Sequence, residues 1–121
     1  MTVKYTKDHE WIDTTSGKTG ITDYARDALG DLVFLDLPKA GRILKRKEYY
    51  AVVESVKAAS EIYAPVAGEI VAVNDNLANS LDDLKEDLDK GWIVQLKIAD
   101  AGDLNDLMDK AAYDAYLRTL G

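Results

Sequence analysis

The stretch Val52-Val53-Glu54-Ser55-Val56-Lys57-Ala58-Ala59-Ser60-Glu61-Ile62 is the local pattern that does most to decide the fold. Two runs of β-prone residues flank a central segment whose side chains are mostly small, and this arrangement predicts a β-hairpin. Lys57, in the middle of that segment, would project from the hairpin tip with little bulk around it. Taken by itself, such a lysine is either a solubilising surface charge, which is the usual case, or an amine presented to a modifying enzyme.

Outward from the hairpin, the chain contains other short apolar runs separated by turn residues. The run at 92–98 alternates most clearly and predicts that its even-numbered residues, from Trp92 to Ile98, share one face. By length and composition the predicted strands are 31–37, 49–53, 61–64, 69–73 and 92–98. Many short strands joined by small turns predict a mainly β fold of the sandwich or barrel type.

Helical signals are fewer than strand signals. A capping residue at Thr22 and a glycine at Gly30 predict a short helix between them. A second short helix is predicted to begin at Ser80. The strongest helical pattern is C-terminal, where apolar residues recur at helical spacing over 104–117. The helices are therefore additions to a β-sheet core.

The bulk composition limits the function classes. The chain has 121 residues, enough for one domain, so a single domain over 1–121 is expected. Its net charge of −7 argues against binding to nucleic acid or to an anionic membrane. It has no cysteine, which excludes thiolate and disulfide chemistry by the protein's own side chains. No apolar run reaches membrane-spanning length, and the first residues have the pattern of neither a signal peptide nor a transit peptide.

The densest cluster of titratable groups is Asp8-His9-Glu10, which precedes Trp11 and contains the only histidine of the chain. One interpretation is an acid–base site or one ligand of a metal site. Three adjacent residues of an extended segment cannot converge on one point, however, and no second histidine or cysteine could complete a transition-metal set. The pattern favours the other interpretation, in which His9 is structural and hydrogen-bonded beside Trp11.

Other patterns of catalytic or binding chemistry are absent from the sequence. The acidic run at 82–89 lacks the residue spacing of a calcium-binding loop and is typical of a solvated face. Neither glycine-rich phosphate-binding motif occurs. The residue pattern alone therefore offers almost nothing with which to build an active site.

Several motifs, in order along most of the chain, together resemble one known family. They are Lys4-Tyr5-Thr6-Lys7-Asp8-His9-Glu10-Trp11, Gly20-Ile21-Thr22-Asp23-Tyr24-Ala25, Leu29-Gly30-Asp31, Leu37-Pro38, Glu54-Ser55-Val56-Lys57-Ala58-Ala59-Ser60, Tyr63-Ala64-Pro65-Val66-Ala67-Gly68-Glu69, Gly91-Trp92, Asp106-Leu107-Met108 and Ala112-Tyr113. The segment around Lys57 is similar to the lipoylation segment of glycine cleavage H proteins, and the other motifs agree with that family. A set of ordered motifs is far more specific than any one of them.

The resemblance implies a flattened β-barrel or sandwich of the lipoyl and biotinyl carrier type, with lipoate in amide linkage on Lys57. It implies a non-catalytic, monomeric carrier that moves an aminomethyl group and electrons between partner enzymes. These are a pyridoxal-phosphate glycine decarboxylase, a tetrahydrofolate-dependent aminomethyltransferase and a flavin-dependent dihydrolipoamide dehydrogenase, with a lipoate ligase or lipoyl transferase to load the lysine. The compartment would be the bacterial cytoplasm, or the mitochondrial matrix after removal of a transit peptide.

The resemblance also assigns roles to other residues. Glu54, Gly41 and Gly68 fall at the family's ligase-recognition positions, and Gly68 is expected in a tight turn. Glu10 and Glu61 are candidates to meet the amine of a loaded arm that folds into a surface cleft. Biotin carriers place methionines on both sides of the lysine, whereas this chain has Val56 and Ala58 there, so lipoate is expected rather than biotin.

Two alternative functions stay open at this point. One is a lipoate relay paralogue that donates lipoate to other proteins, and the other is a small acid–base enzyme built around His9, Glu10 and Asp8. The chain also departs from the family pattern, with a shortened first hairpin at 13–18 and a different approach to Gly91-Trp92. These departures lie away from Lys57, so they bear on partner binding more than on the carrier role.

Overall fold

The computed structural model describes residues 3–120, which form two antiparallel sheets and a few short helices. The strands are β1 (Val3–Tyr5), β2 (Glu10–Asp13), β3 (Lys18–Ile21), β4 (Leu32–Asp36), β5 (Ile43–Leu44), β6 (Tyr49–Ser55), β7 (Ala59–Tyr63), β8 (Gly68–Val73) and β9 (Val94–Ile98). Six of them form one sheet in the order β1-β2-β3-β9-β8-β5, and the other three form a sheet in the order β4-β6-β7. The mainly β class predicted from the sequence is confirmed.

The hydrophobic core lies between the two sheets. Ile12 and Val94 of the six-stranded sheet belong to the same buried cluster as Leu35, Val53 and Ile62 of the three-stranded sheet. Along β6 the buried Val53 is followed by the exposed Glu54 and the buried Ser55, which is the alternation of a strand with one face in the core. This packing of two inner faces gives the flattened sandwich that the resemblance implied.

Two α-helices are present, α1 (Asp23–Leu29) and α2 (Lys110–Thr119). The α1 helix begins and ends as predicted, because the Thr22 side chain accepts a hydrogen bond from the Ala25 amide and Gly30 has a φ of 76°. The α2 helix is attached through a second cluster, in which Tyr113 stacks on Tyr5 with 4.7 Å between ring centroids. This cluster joins the C-terminal helix to the beginning of the chain.

The predicted C-terminal helix is broken in two. A 3-10 helix at Ala101–Asp106 is followed by an extended segment before α2 begins at Lys110. Within that segment Met108 forms a backbone bridge with Tyr5, so two inter-strand hydrogen bonds replace the helical bonds that the apolar spacing predicted. The helix predicted after Ser80 is likewise only a 3-10 turn, Leu81–Asp83, and the Ser80 side chain does not cap it.

The strand predicted at 92–98 is two residues shorter in the structure. The strand begins at Val94, and Trp92 packs against the aromatic cluster around Tyr5 and Tyr113 rather than on the face of Val94 and Leu96. Ile93, which stands between them in sequence, is fully buried in the main core. No helix within residues 3–120 is long and apolar enough to cross a membrane.

Candidate functional site

The β6–β7 hairpin presents Lys57 at its tip, as the sequence predicted. Ser55 closes the turn: its Oγ accepts hydrogen bonds from the amides of Lys57 at 3.1 Å and Ala58 at 3.3 Å, and its hydroxyl donates to the Ala58 carbonyl. A serine at this position can satisfy the turn's backbone groups without bulk. The side chains of Val56 and Lys57 are therefore left exposed on a tip whose backbone is held firmly.

The Lys57 side chain lies across the C-terminal end of α1. Its Nζ donates to the Ala28 carbonyl at 3.5 Å, where the end of a helix favours a cation. A Cβ placed on Gly30 would lie 3.5 Å from the Cε of Lys57. Gly30 therefore has a second role: because it has no side chain, it leaves room for the Lys57 side chain to extend over the end of α1.

A surface cleft of about 200 Å³ runs between α1 and the β6–β7 hairpin. It begins at Ala28, the residue whose carbonyl accepts from Lys57, and its walls include apolar side chains such as Leu29 and Ile62. At the other end it is lined by acidic residues, among them Glu10 and Glu61. The cleft therefore offers an apolar path that leads from the lysine to carboxylates.

Glu10 is the buried carboxyl of this cleft, with 3% of its surface exposed. Its Oε1 accepts a hydrogen bond from the Thr6 hydroxyl at 2.7 Å, and the Tyr63 amide also donates to the carboxylate. Burial outweighs these bonds and raises the pKa of Glu10 to about 7. Glu61, the other acidic candidate, is exposed and accepts from the Tyr63 hydroxyl at 3.2 Å.

His9 is held in place by aromatic and hydroxyl groups. Its φ of 69° is in the left-handed region, and its Nδ1 lies 2.9 Å from the hydroxyl of Tyr113. Burial lowers the pKa of His9, and the nearby Asp8 carboxylate opposes that shift. The structural interpretation of His9 accounts for these contacts, although the sequence did not predict that the hydrogen-bond partner is Tyr113.

The three ligase-recognition candidates lie on different elements, one in each sheet and one in a turn. Glu54 is exposed on β6, opposite Phe34 and Ala59. Gly41 lies in the turn before β5 with a φ of 95°, which a glycine adopts readily. Gly68 is not in a turn, so that prediction is wrong: it opens β8, and a Cβ there would lie 2.5 Å from the carbonyl oxygen of Lys97.

One surface next to the lysine was not identified from the sequence. The outer face of the β4-β6-β7 sheet exposes about half of Phe34 and of Tyr49, and the Val56 side chain at the hairpin tip is 67% exposed. Phe34 faces outward because it is next to the buried Leu35, and neighbouring residues of a strand point to opposite faces. The apolar run at 31–37 could not reveal this, because a continuous apolar run does not show which of its residues face the core.

A flattened β-sandwich with an exposed lysine at the tip of a tight hairpin is the architecture that the resemblance implied for a carrier protein. The family model described as "Glycine cleavage H-protein" matches residues 3–120. The chain belongs to the glycine cleavage H-protein family, whose members are the lipoyl carriers of the glycine cleavage system.

Individual relatives agree with this assignment. The chain is 55% identical over 120 residues to the glycine cleavage system H protein of Beijerinckia indica, covering 97% of each chain. It is 52% identical over 118 residues to that of Bradyrhizobium diazoefficiens, covering 95% of this chain and 97% of the relative. A crystal structure of a glycine cleavage system H protein from Mycobacterium marinum superposes with a TM-score of 0.86 at 32% identity, covering 97% of both chains. None of these relatives favours the lipoate relay alternative.

Proposed function

We propose that Lys57 carries lipoate in amide linkage and that the chain acts as a non-catalytic carrier between the enzymes of the glycine cleavage system. The observation that carries this proposal is the position of Lys57, exposed at the hairpin tip and directed along α1 to the mouth of the cleft. The lipoyl disulfide, when attached, would supply the reactive sulfurs: one would accept the aminomethyl group and the other the electron pair as the S–S bond breaks. The protein's own sequence contains no cysteine that could compete in thiol–disulfide exchange.

The residues of the cleft suit a lipoyl chain. The walls contributed by α1 and β7 are apolar, as at Ala25, Leu29 and Ile62, and would cover hydrocarbon. The cleft ends at Glu10 and Glu61, whose carboxylates would meet a positively charged amine. These residues would hold the loaded arm against the protein and exclude water from it between visits to partner enzymes.

Glu10 is suited to hold the amine because it is poised between protonation states. Its pKa of about 7 means that both forms are present near neutral pH. An incoming ammonium favours the ionised form of a buried carboxyl, so binding the amine would draw a proton off Glu10. The Thr6 hydroxyl and the Tyr63 amide would keep the carboxylate oriented toward the cleft.

The proposed partners are the glycine decarboxylase, the aminomethyltransferase and the dihydrolipoamide dehydrogenase, with a lipoate ligase or lipoyl transferase that loads Lys57. Glu54, exposed three residues before the lysine, is proposed as a ligase contact, with Gly41 and Gly68 shaping the surface that the ligase meets. We expect one monomeric domain over residues 1–121. The bacterial relatives support the cytoplasmic location over the mitochondrial alternative.

Substitution of the lysine tests the proposal. Lys57→Arg keeps a positive charge at an exposed position, so the fold and its melting temperature should be unchanged. A guanidinium cannot form the amide, so the variant should gain no lipoyl mass with ligase and lipoate, and glycine decarboxylation should be lost. Lys39→Arg, at another exposed lysine, is the matched control and should be lipoylated normally. Lipoyl mass on Lys57→Arg, or activity without it, would contradict the assignment.

A further inference from the structure

Tyr113 of α2 connects two parts of the chain that line the cleft. Its hydroxyl lies 2.9 Å from Nδ1 of His9 and 2.8 Å from Oγ1 of Thr22. Neither contact is expected from sequence, because Tyr113 is separated from His9 by 104 positions and from Thr22 by 91. The rest of the ring is occupied by stacking on Tyr5, with 7° between the ring planes. Stacking holds the ring in place, so the hydroxyl is a fixed point for both partners.

Each partner of the hydroxyl controls one wall of the cleft. Thr22 caps α1, accepting from the Ala25 amide, and α1 forms the wall over which the lysine extends. His9 precedes Glu10 and lines the same end of the cleft. The backbone amide of Thr22 also donates to the His9 carbonyl at 2.9 Å. The hydroxyl of Tyr113 therefore bridges the two walls at the end where Glu10 lies.

His9 requires such a restraint more than an ordinary residue would. Its left-handed backbone conformation is one that non-glycine residues adopt only when their surroundings impose it. The ring is flanked by Tyr24, with centroids 4.5 Å apart, and by Tyr116 at 6.1 Å. Of these neighbours only Tyr113 has a hydroxyl within hydrogen-bond distance of the imidazole among residues 3–120.

We propose that Tyr113 is a positioning residue for the carrier's cleft: its hydroxyl adds a side-chain tie to the backbone bond between Thr22 and His9, so that α2 fixes the orientation of the His9 ring and of the Thr22 cap beside Glu10. This inference rests on the proposed docking of the loaded arm in that cleft. Tyr113 itself does not line the cleft, so it would act through His9 and Thr22. Loss of the tie should let the end of the cleft open and admit water to the amine.

The test compares Tyr113→Phe with Tyr116→Phe in the full-length, lipoylated chain. Both remove a hydroxyl from α2 next to His9, but that of Tyr116 reaches only the Lys7 carbonyl, at 3.5 Å. In Tyr113→Phe the ring can still stack on Tyr5. We expect spontaneous loss of the aminomethyl group from the loaded carrier, without partner enzymes, to be roughly fivefold faster in Tyr113→Phe and unchanged in Tyr116→Phe.

Two further readouts do not depend on the loaded arm. His9 is the only histidine, so its ring nitrogens can be assigned without ambiguity by NMR, and the Nδ1 shift should move only in Tyr113→Phe. Amide hydrogen exchange at Ala25 should become faster in the same variant, because its acceptor Thr22 has lost a restraint. The rate of lipoate attachment should not change, since the hairpin turn does not contact Tyr113.

The outcomes separate this inference from the proposed function. An unchanged rate of aminomethyl loss in Tyr113→Phe, with faster loss in Glu10→Gln, would overturn the role of Tyr113 and leave the cleft in use. No effect in either variant would overturn arm docking in the cleft, and the inference with it. If Tyr113→Phe does not fold, His9→Asn cuts the same tie from the other end, because asparagine tolerates the left-handed backbone. Unchanged aminomethyl loss in His9→Asn would likewise overturn the role of the tie.

Discussion

At the scale of single residues, Glu10 combines burial with a charge that the protein must tolerate. Its pKa rises to about 7 mainly because burial penalises the ionised form, and the Thr6 and Tyr63 hydrogen bonds oppose that rise only in part. A buried carboxyl of this kind lowers the stability of the folded state whenever it is ionised. Retaining it in the core of a small protein is reasonable if the carboxylate has a cation to bind.

Glu10→Gln should change how stability depends on pH. The folded pKa of about 7 lies above the ordinary value of 4.5, so the folded state binds the proton more tightly. The free energy of unfolding should therefore fall as pH rises from about 4.5 to about 7, by at most on the order of 3 kcal/mol. Glutamine cannot ionise, so the variant should lack this part of the slope and be the more stable protein at pH 8.

Thermal unfolding from pH 4.5 to pH 8 checks this prediction. Glu61→Gln is the matched control, because Glu61 is exposed and the substitution should leave the pH dependence of the melting temperature as it is. A Glu10→Gln protein whose melting temperature follows the wild-type curve would show that Glu10 is not the group that makes stability fall with pH.

The sequence predicted the position of Lys57 and, through the family resemblance, Glu10 and Glu61 as acids of one cleft. The position of Lys57 was predictable because this lysine lies in a local hairpin pattern. It could not predict the contact of His9 with Tyr113, because a hydrogen bond between residues 104 positions apart leaves no local trace. It also assigned Gly68 to a turn, since a glycine needed for close strand packing looks the same in sequence.

At the scale of the elements, Gly41 and Gly68 require glycine for different physical reasons. Gly41 has a positive φ, and a Cβ added there would have no atom within 4 Å, so Gly41→Ala should cost about 1–2 kcal/mol, all of it backbone strain. Gly68 packs β8 closely against Lys97 of β9, and Gly68→Ala should cost about 3 kcal/mol or more, because the strands must separate.

Chemical denaturation and a lipoylation assay together distinguish the two glycines. Gly41→Ala should stay folded, so slower lipoate attachment in that variant would reflect ligase contact. Gly68→Ala should lose stability first, and attachment should slow only in proportion to the unfolded fraction. Equal stability losses in the two variants would contradict this assignment of causes.

The strands that sequence patterns predicted best are those with continuous apolar runs, such as β6 and β8. The strands that were missed, β1, β2, β3 and β5, are two to four residues long. Their side chains do not alternate clearly, because they are ordered by pairing with neighbours rather than by their own pattern. The broken C-terminal helix has the same cause, since pairing of Met108 with Tyr5 overrides local helical spacing.

At the scale of the whole molecule, both the chain and the sheet face next to the lysine are negatively charged. The net charge is −7, and the outer face of the β4-β6-β7 sheet carries Asp36 and Glu54, while Glu61 lies on the edge strand β7, where this face meets the cleft. The KM of the lipoylated chain with its partner enzymes should therefore rise severalfold with salt while kcat stays nearly constant, because salt screens charge-steered docking. Free lipoamide, assayed with dihydrolipoamide dehydrogenase, is the uncharged control. A KM for the chain that does not change with salt would show that docking is governed by apolar contact.

The outer face of that sheet also governs how copies of the protein behave toward one another. Phe34 and Tyr49 are half exposed there, and in a crowded solution such aromatic groups favour association between like molecules. The carboxylates beside these aromatic groups oppose that association, because two identical negative faces repel each other. Near the isoelectric point of about 4.6 that repulsion disappears, and the exposed aromatic face favours self-association. At neutral pH the same carboxylates oppose association of this face with its copies, which suits the proposed carrier, whose lysine has to reach one enzyme after another.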